Sequence, residues 1–270
     1  MKDMKAKILS NEEVAPGYYR MVLEGPYMAK TANPGQFVMV RCGNDTDPLL
    51  RRPLGISRVR RPAAPGAMTM ELLYEVIGRG TEILANKRKG ETLKVLGPLG
   101  NGFDLLPCVR RPASGAVLIA GGIGVAPMIF LAEEMARKKI RPVILIGAKT
   151  KKLILCEKEF KRIGAEVHIA TDDGTLGRKG FVSGLLQDVL RRTPDTRYPT
   201  VYACGPEPML RAVAGICLNK KIECQISMET KMACGIGACL GCAVETKKGN
   251  KLACKDGPVF NARDLFRRKA

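Results

Sequence analysis

The stretch Ala116-Val117-Leu118-Ile119-Ala120-Gly121-Gly122-Ile123-Gly124-Val125-Ala126-Pro127 decides the fold. Ala116 to Ala120 is a short continuous apolar run, which reads as a strand buried on both faces. The glycines after it let the backbone turn tightly and approach a ligand, and Pro127 to Lys138 reads as a helix. The same rhythm continues downstream. Val143 to Gly147 reads as strand, Leu153 to Ile163 as helix, Val167 to Ala170 as strand and Phe181 to Arg192 as helix. Val201 to Cys204, Met209 to Asn219 and Ile222 to Met228 then read as strand, helix and strand. Such alternation predicts a parallel, doubly wound sheet of the α/β class. A glycine turn opening a helix is also an anion site, because free N–H groups and the helix dipole favour a diphosphate. Pro127 takes the last place of what would be a G-x-G-x-x-G pattern, so the loop alone is weak. A second strand end, Cys204-Gly205-Pro206-Glu207-Pro208-Met209, strengthens it.

Upstream, from Met1 to Pro107, the pattern is β-rich. Gly17 to Leu23 and Met68 to Ile77 are short runs of β-branched, aromatic and apolar residues. Asn33-Pro34-Gly35, Arg61-Pro62, Ala64-Pro65-Gly66 and Gly97-Pro98 punctuate them, which predicts a small antiparallel barrel. One short helix is expected to start near Gly80-Thr81. Pro107 to Ser114 reads as a Pro/Arg-rich linker. After Met228 the rhythm breaks, and Glu229 to Ala270 is rich in Cys, Gly and Lys. Three units are therefore expected: a barrel over 1–107, an α/β domain over 114–228 and a small metal-organised segment over 229–270.

The 270 residues and 46% hydrophobic content suit two domains with a proper core plus a small addition. The charged start MKDMKAKILS is unlike a signal peptide, which predicts a cytoplasmic protein. The apolar stretch Ala116 to Ala132 falls short of the roughly 20 residues of a membrane span, and glycines and a proline interrupt it. The formal net charge is +19, in short scattered runs that include Lys87-Arg88-Lys89 and Arg267-Arg268-Lys269. A basic solvated surface or an acidic partner face explains it. Nucleic-acid binding is poorly supported, with no Trp, 5% aromatic residues and no recognition motif.

Ten cysteines without a secretory signal argue for reduced thiols. Four fall as Cys234-x4-Cys239-x2-Cys242-x11-Cys254, and the first three match the plant-type spacing for a [2Fe–2S] cluster. Gly235, Gly237, Ala238 and Gly241 suit a tight loop whose amides point at sulfur. A structural zinc site is the alternative, although zinc loops usually carry two Cys-x2-Cys knuckles and only one is present. Cys42, Cys108, Cys156, Cys217 and Cys224 read as small core or surface residues. The lone histidine, His168, reads as a satisfied strand residue. No nucleophile–base arrangement is visible, as expected where cofactors carry hydride and electron chemistry.

Arg51-Arg52-Pro53-Leu54-Gly55-Ile56-Ser57 places two arginines just before a strand, and Tyr74-Glu75-Val76-Ile77-Gly78-Arg79-Gly80-Thr81 leads a strand into a helix. An arginine beside a helix start is a diphosphate site, and a surface arginine beside an ordinary turn has the same pattern. The pair resembles the Arg-Pro-x-Ser and Gly-x-Gly-Thr motifs of the ferredoxin-reductase superfamily, whose barrel domain binds FAD. The resemblance implies that Arg52 holds the diphosphate and that Pro53, Leu54 and Gly55 lie along the isoalloxazine. It implies that Leu73, Tyr74 and Glu75 flank the ribityl and ring region, and that Gly80 and Thr81 take phosphate. Gly55 stands where that motif commonly has serine, so a backbone N–H or Ser57 would have to replace the hydroxyl. The glycine loop and Cys-Gly-Pro are similar to the nicotinamide domain of the same superfamily. By that resemblance Gly122, Gly124, Pro127, Gly205 and Pro206 bind the nucleotide, and Cys204 sits near the reacting nicotinamide carbon.

The order of barrel, nucleotide domain and C-terminal cluster resembles the electron-transfer subunits of type B dihydroorotate dehydrogenases along the whole chain. Gly97-Pro98-Leu99-Gly100-Asn101-Gly102-Phe103, Thr171-Asp172-Asp173-Gly174 and Met232-Ala233-Cys234-Gly235-Ile236-Gly237 carry that likeness. It implies FAD, a [2Fe–2S] cluster ligated by the four cysteines, and NAD. It also implies a partner, an FMN-containing catalytic subunit, in a heterotetramer of two of each. Small subunits of ferredoxin:NADP oxidoreductases and of sulfur-reducing hydrogenases are similar and remain as alternatives. Neither Gly147-Ala148-Lys149 nor Thr171 separates NAD from NADP.

Overall fold

The computed structural model describes residues 1–43, 46–62, 66–110, 115–192 and 200–266. Ala64 and Pro65 of the expected turn, residues 111–114 of the expected linker and the basic run Arg267-Arg268-Lys269 lie outside the described residues. The N-terminal elements are β1 (Lys2–Ala15), β2 (Tyr18–Glu24), α1 (Pro26–Thr31), β3 (Phe37–Val40), β4 (Arg52–Arg60), β5 (Thr69–Glu75), α2 (Arg79–Ala85) and β6 (Thr92–Leu99). The six strands close a barrel in the order β1-β2-β5-β4-β3-β6. Alternate residues point inward, so Met21 and Leu23, Val38 and Val40, and Leu72 and Tyr74 fill one apolar interior. The helix expected near Gly80 is α2.

A short helix, α3 (Leu106–Arg110), occupies the first part of the stretch expected to be a linker. Its Cys108 is buried and its thiol lies 3.3 Å from the Tyr202 hydroxyl, so packing rather than solvent shapes that segment. Next come β7 (Ala116–Gly121), α4 (Val125–Arg137), β8 (Val143–Ala148), α5 (Glu157–Arg162), β9 (Glu166–Thr171) and β10 (Arg178–Lys179). They are followed by α6 (Val182–Arg192), β11 (Thr200–Cys204), α7 (Glu207–Asn219) and β12 (Glu223–Ser227). The expected helix over Leu153 to Ile163 is broken. A 3-10 turn covers Lys151–Leu153, and α5 starts only after Cys156, which has φ +60°. Burying Leu155 and Cys156 against the β7–β8 core takes the chain out of helix there.

The last elements are β13 (Ala243–Thr246), β14 (Gly249–Leu252), β15 (Val259–Asn261) and α8 (Ala262–Leu265). The main sheet runs β10-β9-β8-β7-β11-β12-β15. Strands β7, β8, β9, β11 and β12 are parallel, and β15 closes the edge antiparallel to β12 through Gln225↔Asn261 and Ser227↔Val259. The C-terminal segment is thereby stitched into the nucleotide-domain sheet. Along β7, Leu118 and Ala120 face α4 and α5, while Val117 and Ile119 face α6 and α7. Both faces are covered, as the continuous apolar run requires.

Three contacts weld the barrel to the sheet domain. Phe130 of α4 belongs to the barrel's apolar interior. Arg58 of β4 donates to Glu71 at 2.9 Å and to Glu133 of α4 at 2.6 Å, with side-chain exposures of 10%, 6% and 18%. Arg20 of β2 reaches Glu159 of α5 at 2.5 Å. Burial alone would raise the Glu159 carboxyl, but Arg20 holds it below the ordinary carboxylate value. Among the described residues no helix is long and apolar enough to cross a membrane.

Candidate redox centre

The sheet order reverses between β7 and β11, one strand crossing to β8 and β9 and the other to β12. Loops at the carboxyl ends of the strands diverge there and leave a crevice, the usual ligand site of open α/β sheets. Here the crevice opens onto the barrel. One cleft of about 680 Å³ is walled by Arg52, Pro53, Leu54 and Gly55 of β4, by Leu73, Tyr74 and Glu75 of β5, and by the start of α2. Ile123, Ala126, Pro127 and Cys204 close it from the sheet side, and residues 227–232 from the C-terminal side.

On the barrel wall, Arg52 donates to the Leu50 carbonyl at 2.6 Å and lies over the first turn of α2. A methyl on Gly80 would stand 2.6 Å from Arg52 Nε, so only glycine lets the guanidinium settle there. Thr81 is committed locally. Its hydroxyl accepts from the Ile77 and Gly78 amides and donates to the Gly78 carbonyl, capping α2. A side chain on Gly55 would meet nothing within 4 Å, so the backbone there is open to a flat ring. Ser57 is not a substitute for the missing serine, being buried with its hydroxyl donated to the Glu71 carbonyl at 2.9 Å. Tyr74 is buried, donates to Asn11 at 3.0 Å and stacks on Tyr19 at 5.9 Å. Burial raises its phenol, which stays neutral.

On the sheet wall the glycines divide their tasks. A Cβ on Gly124 would lie 2.2 Å from the Cys204 carbonyl oxygen, so Gly124 lets α4 begin against β11. Gly122 has φ +53° with open space beside it, the position free for a ligand. Gly205, at φ +154°, crosses the chain over Gly121. Pro206 caps α7, and Pro127 sits in the first turn of α4. Cys204 is buried at the cleft floor, and burial with the nearby Glu229 charge pushes its thiol up, leaving it neutral. Ser227 and Glu229 stand beside it and were not singled out from the sequence. Ser227 ends the strand next to the switch point and Glu229 follows it, which is the signal that locates them. Glu229 is open to the cleft yet enclosed by protein, and that burial and the Glu75 charge raise its carboxyl.

The four spaced cysteines come together in the loop ahead of β13 and just past β14. Ile236 and Cys239 amides donate to Cys234 Sγ at 3.4 Å each, and the Gly237 amide donates to Cys254 Sγ at 3.1 Å. The first of these amides, with Cys239, lowers the Cys234 thiol to about 6. Amides aimed at sulfur stabilise thiolates, as iron ligation requires. Among the described residues no three Cys, His, Asp or Glu side chains converge on one ion-sized point. The thiols stand as two pairs instead, Cys234 with Cys239 and Cys242 with Cys254, the latter sulfurs 3.2 Å apart. Two thiolate pairs fit a two-iron cluster better than a single tetrahedral zinc. Cys42, Cys108, Cys156, Cys217 and Cys224 are all buried and take no part. His168 is paired with Glu166 at 2.7 Å on the surface, away from the cleft.

Residues 229–266 match the family described as the iron-sulfur cluster binding domain of dihydroorotate dehydrogenase B, and residues 118–215 the oxidoreductase NAD-binding domain. The chain is 42% identical over 264 residues to the dihydroorotate dehydrogenase B (NAD(+)) electron transfer subunit of Desulforamulus reducens, covering 96% of each. It is 36% identical to the same subunit of Fusobacterium nucleatum, covering 98% of this chain and 99% of that one. The chain belongs to the family of dihydroorotate dehydrogenase B electron transfer subunits. Among solved structures, an NADH-dependent reduced ferredoxin-NADP oxidoreductase matches at a TM-score of 0.80 and 27% identity, over 97% of this chain and 89% of that one. A ferredoxin NADP+ reductase from Neisseria gonorrhoeae with bound FAD and NADP matches at a TM-score of 0.65 and 18% identity, over 82% and 92%, and shares the fold. The cofactors of this family, FAD, a [2Fe–2S] cluster and NAD, fit the three walls of the cleft and its neighbouring loop.

Proposed function

We propose that this chain is the electron-transfer half of a dihydroorotate-oxidising enzyme of pyrimidine biosynthesis, passing electrons from a catalytic subunit to NAD+. One observation carries the reading. A single cleft joins the barrel wall, the switch point of the sheet and the start of the four-cysteine segment. FAD supplies the exchange between single electrons and a hydride, and the cluster accepts and releases one electron at a time.

The chain's residues do the holding. Arg52 pairs with the flavin diphosphate from above the start of α2, while Pro53, Leu54, Gly55, Leu73, Tyr74 and Glu75 form the ring wall. The open φ-positive backbone at Gly122, with Gly124, Pro127, Gly205 and Pro206, takes the dinucleotide at the switch point. Cys204, a neutral thiol on the cleft floor, would bear on the nicotinamide as a positioning contact. Its raised thiol makes it a poor nucleophile, which suits a positioning role. Tyr74 and Leu73 exclude water behind the ring. The units 1–107, 114–228 and 229–270 thus carry flavin, nicotinamide and cluster in turn.

The cleft is lined by the residues proposed for flavin and nicotinamide, and an FMN-bearing subunit supplies the removal of hydrogen from dihydroorotate in a cytoplasmic assembly of two of each chain. Exposed Ile236 and Leu240 flank the exposed ligand Cys239, and the exposed Lys247, Lys248, Lys251 and Lys255 ring the segment. Such a face suits an acidic partner and salt-sensitive assembly. The likeness to a ferredoxin-NADP oxidoreductase keeps a ferredoxin-linked subunit as the second reading, supported by its TM-score of 0.80. The test is stopped-flow reduction of the mixed complex by dihydroorotate. Reduction of FAD in this chain followed by NAD+ turnover is the expected result. FAD that stays oxidised while the partner's FMN is reduced overturns it in favour of the ferredoxin-linked reading.

A further inference from the structure

Strand β3 reads Phe37-Val38-Met39-Val40 and is buried on both faces. Val38 and Val40 point into the barrel interior. Phe37 and Met39 point outward, where a barrel strand ordinarily meets water, and join Leu99, Cys242, Val244 and Cys254 in a separate apolar group. Two of the four cluster cysteines therefore pack in the same group as the outer face of a barrel strand.

The contact is close at one place. Gly235 follows the ligand Cys234, is buried and has φ +73°. A Cβ built on it would lie 2.4 Å from Met39 Cγ and 2.8 Å from Met39 Sδ. The backbone of the cysteine loop thus rests on the Met39 side chain with no room for a methyl between them. Along its edge, β3 pairs with β4 in the register Met39↔Pro53 and Phe37↔Gly55. Phe37, Pro53 and Gly55 all line the flavin cleft. Met232, two residues before Cys234, lines the same cleft and packs against the same apolar group.

We propose that Met39, assisted by Phe37, is the positioning residue that sets the separation between cluster and flavin and fills the space that electrons cross. The inference rests on the functional reading above and adds the route. Moving an electron between two fixed centres makes and breaks no bond at the protein. Its rate depends on the gap and on what fills it, and a close-packed apolar filling holds both constant. In the forward direction each electron that leaves the cluster oxidises one ferrous iron to ferric. Two electrons and one proton from water convert the oxidised flavin to its reduced anion, which then gives a hydride to NAD+. The flexible thioether of methionine suits the place because it conforms to the irregular surface of the loop.

The test uses the full chain loaded with FAD and the iron–sulfur cluster and mixed with NADH in a stopped-flow instrument. Flavin bleaching reports hydride transfer, and the paramagnetic signal of freeze-quenched samples reports the later arrival of electrons at the cluster. Met39→Ala is expected to leave the hydride phase, the FAD content and the iron content unchanged and to slow the second phase several-fold. Met39→Leu, of similar volume, is expected to restore most of the rate. Redox titration of both centres accompanies each variant. A second phase as fast in Met39→Ala as in the wild type overturns the inference, and so does a slowing fully accounted for by shifted potentials. If Met39→Ala loses iron, Met39→Val removes less volume and is read by the same criteria. A wild-type cluster that never accepts an electron from reduced flavin is a different outcome and overturns the functional reading itself.

Discussion

Gly80→Ala separates ligand holding from folding in this protein, because the two effects have opposite signs. The added methyl would stand 2.6 Å from Arg52 Nε, 3.0 Å from its Cζ and 3.1 Å from Nη2. All three belong to the far end of a flexible side chain, so the fold accommodates the methyl by letting the guanidinium swing away. Gly80 has no left-handed φ, and it lies in the first turn of α2. Alanine there is compatible with the backbone and adds up to about 1 kcal/mol of helix preference. The displaced guanidinium, in contrast, gives up a charge-assisted bond to the flavin diphosphate, worth about 1.5–3 kcal/mol. FAD affinity should therefore fall by roughly tenfold to a hundredfold. The assay is FAD titration of the stripped chain by fluorescence quenching, beside a thermal melt of the same flavin-free preparation. An apo melting temperature that holds or rises, with weakened FAD, is the expected pair of results. Unchanged FAD affinity in a folded variant refutes the placement of Arg52 on the diphosphate.

Three further expectations test other parts of the site. Cys239→Ser removes an exposed ligand without touching the cleft, so visible iron–sulfur absorbance and the reduced-state paramagnetic signal should be lost while FAD stays. Full iron retention in that variant contradicts the cluster assignment. Gly124→Ala drives a Cβ to 2.2 Å from the Cys204 carbonyl oxygen, a backbone atom, with no flexible side chain there to yield. It should cost about 1–3 kcal/mol of stability and depress NADH-driven dye reduction, read by denaturant midpoint and by turnover. Glu159 has its carboxyl held below the ordinary value of 4.5 by Arg20, against the opposing effect of burial. That contribution is present above the unfolded carboxylate value and is lost as pH falls through the folded value. The weld between barrel and sheet should loosen on acidification, and Arg20→Met should flatten this part of the pH dependence. An unchanged acid slope of the denaturation midpoint in Arg20→Met counts against the pair.

Much of the architecture and the chemistry of this chain is written in local sequence. Five apolar residues before a glycine turn can be buried on both faces only in a covered parallel sheet, so Ala116 to Gly124 implied the doubly wound domain. The spacing Cys234-x4-Cys239-x2-Cys242 implied a cluster loop, because small residues between thiols leave amides free to face sulfur, and the structure supplies those amides at Ile236, Gly237 and Cys239. Arg52 and Gly80 were legible as a pair of motifs, though their mutual contact was not, since 27 residues lie between them. Other features depend on elements distant in the chain. Nothing local to Ser57 shows that its hydroxyl is committed to Glu71 across the strand pair. Nothing near Thr81 shows whether it serves a phosphate or its own helix cap. Glu229 joins the cleft because β12 ends beside the switch point. The apolar outer face of β3 reads as an ordinary buried strand until the cysteine loop, some 200 residues later, is seen lying on Met39. Periodicity and motif spacing report how a segment meets its immediate neighbours. Which distant backbone covers a given face is decided by close packing of the whole chain, and that only the tertiary structure records.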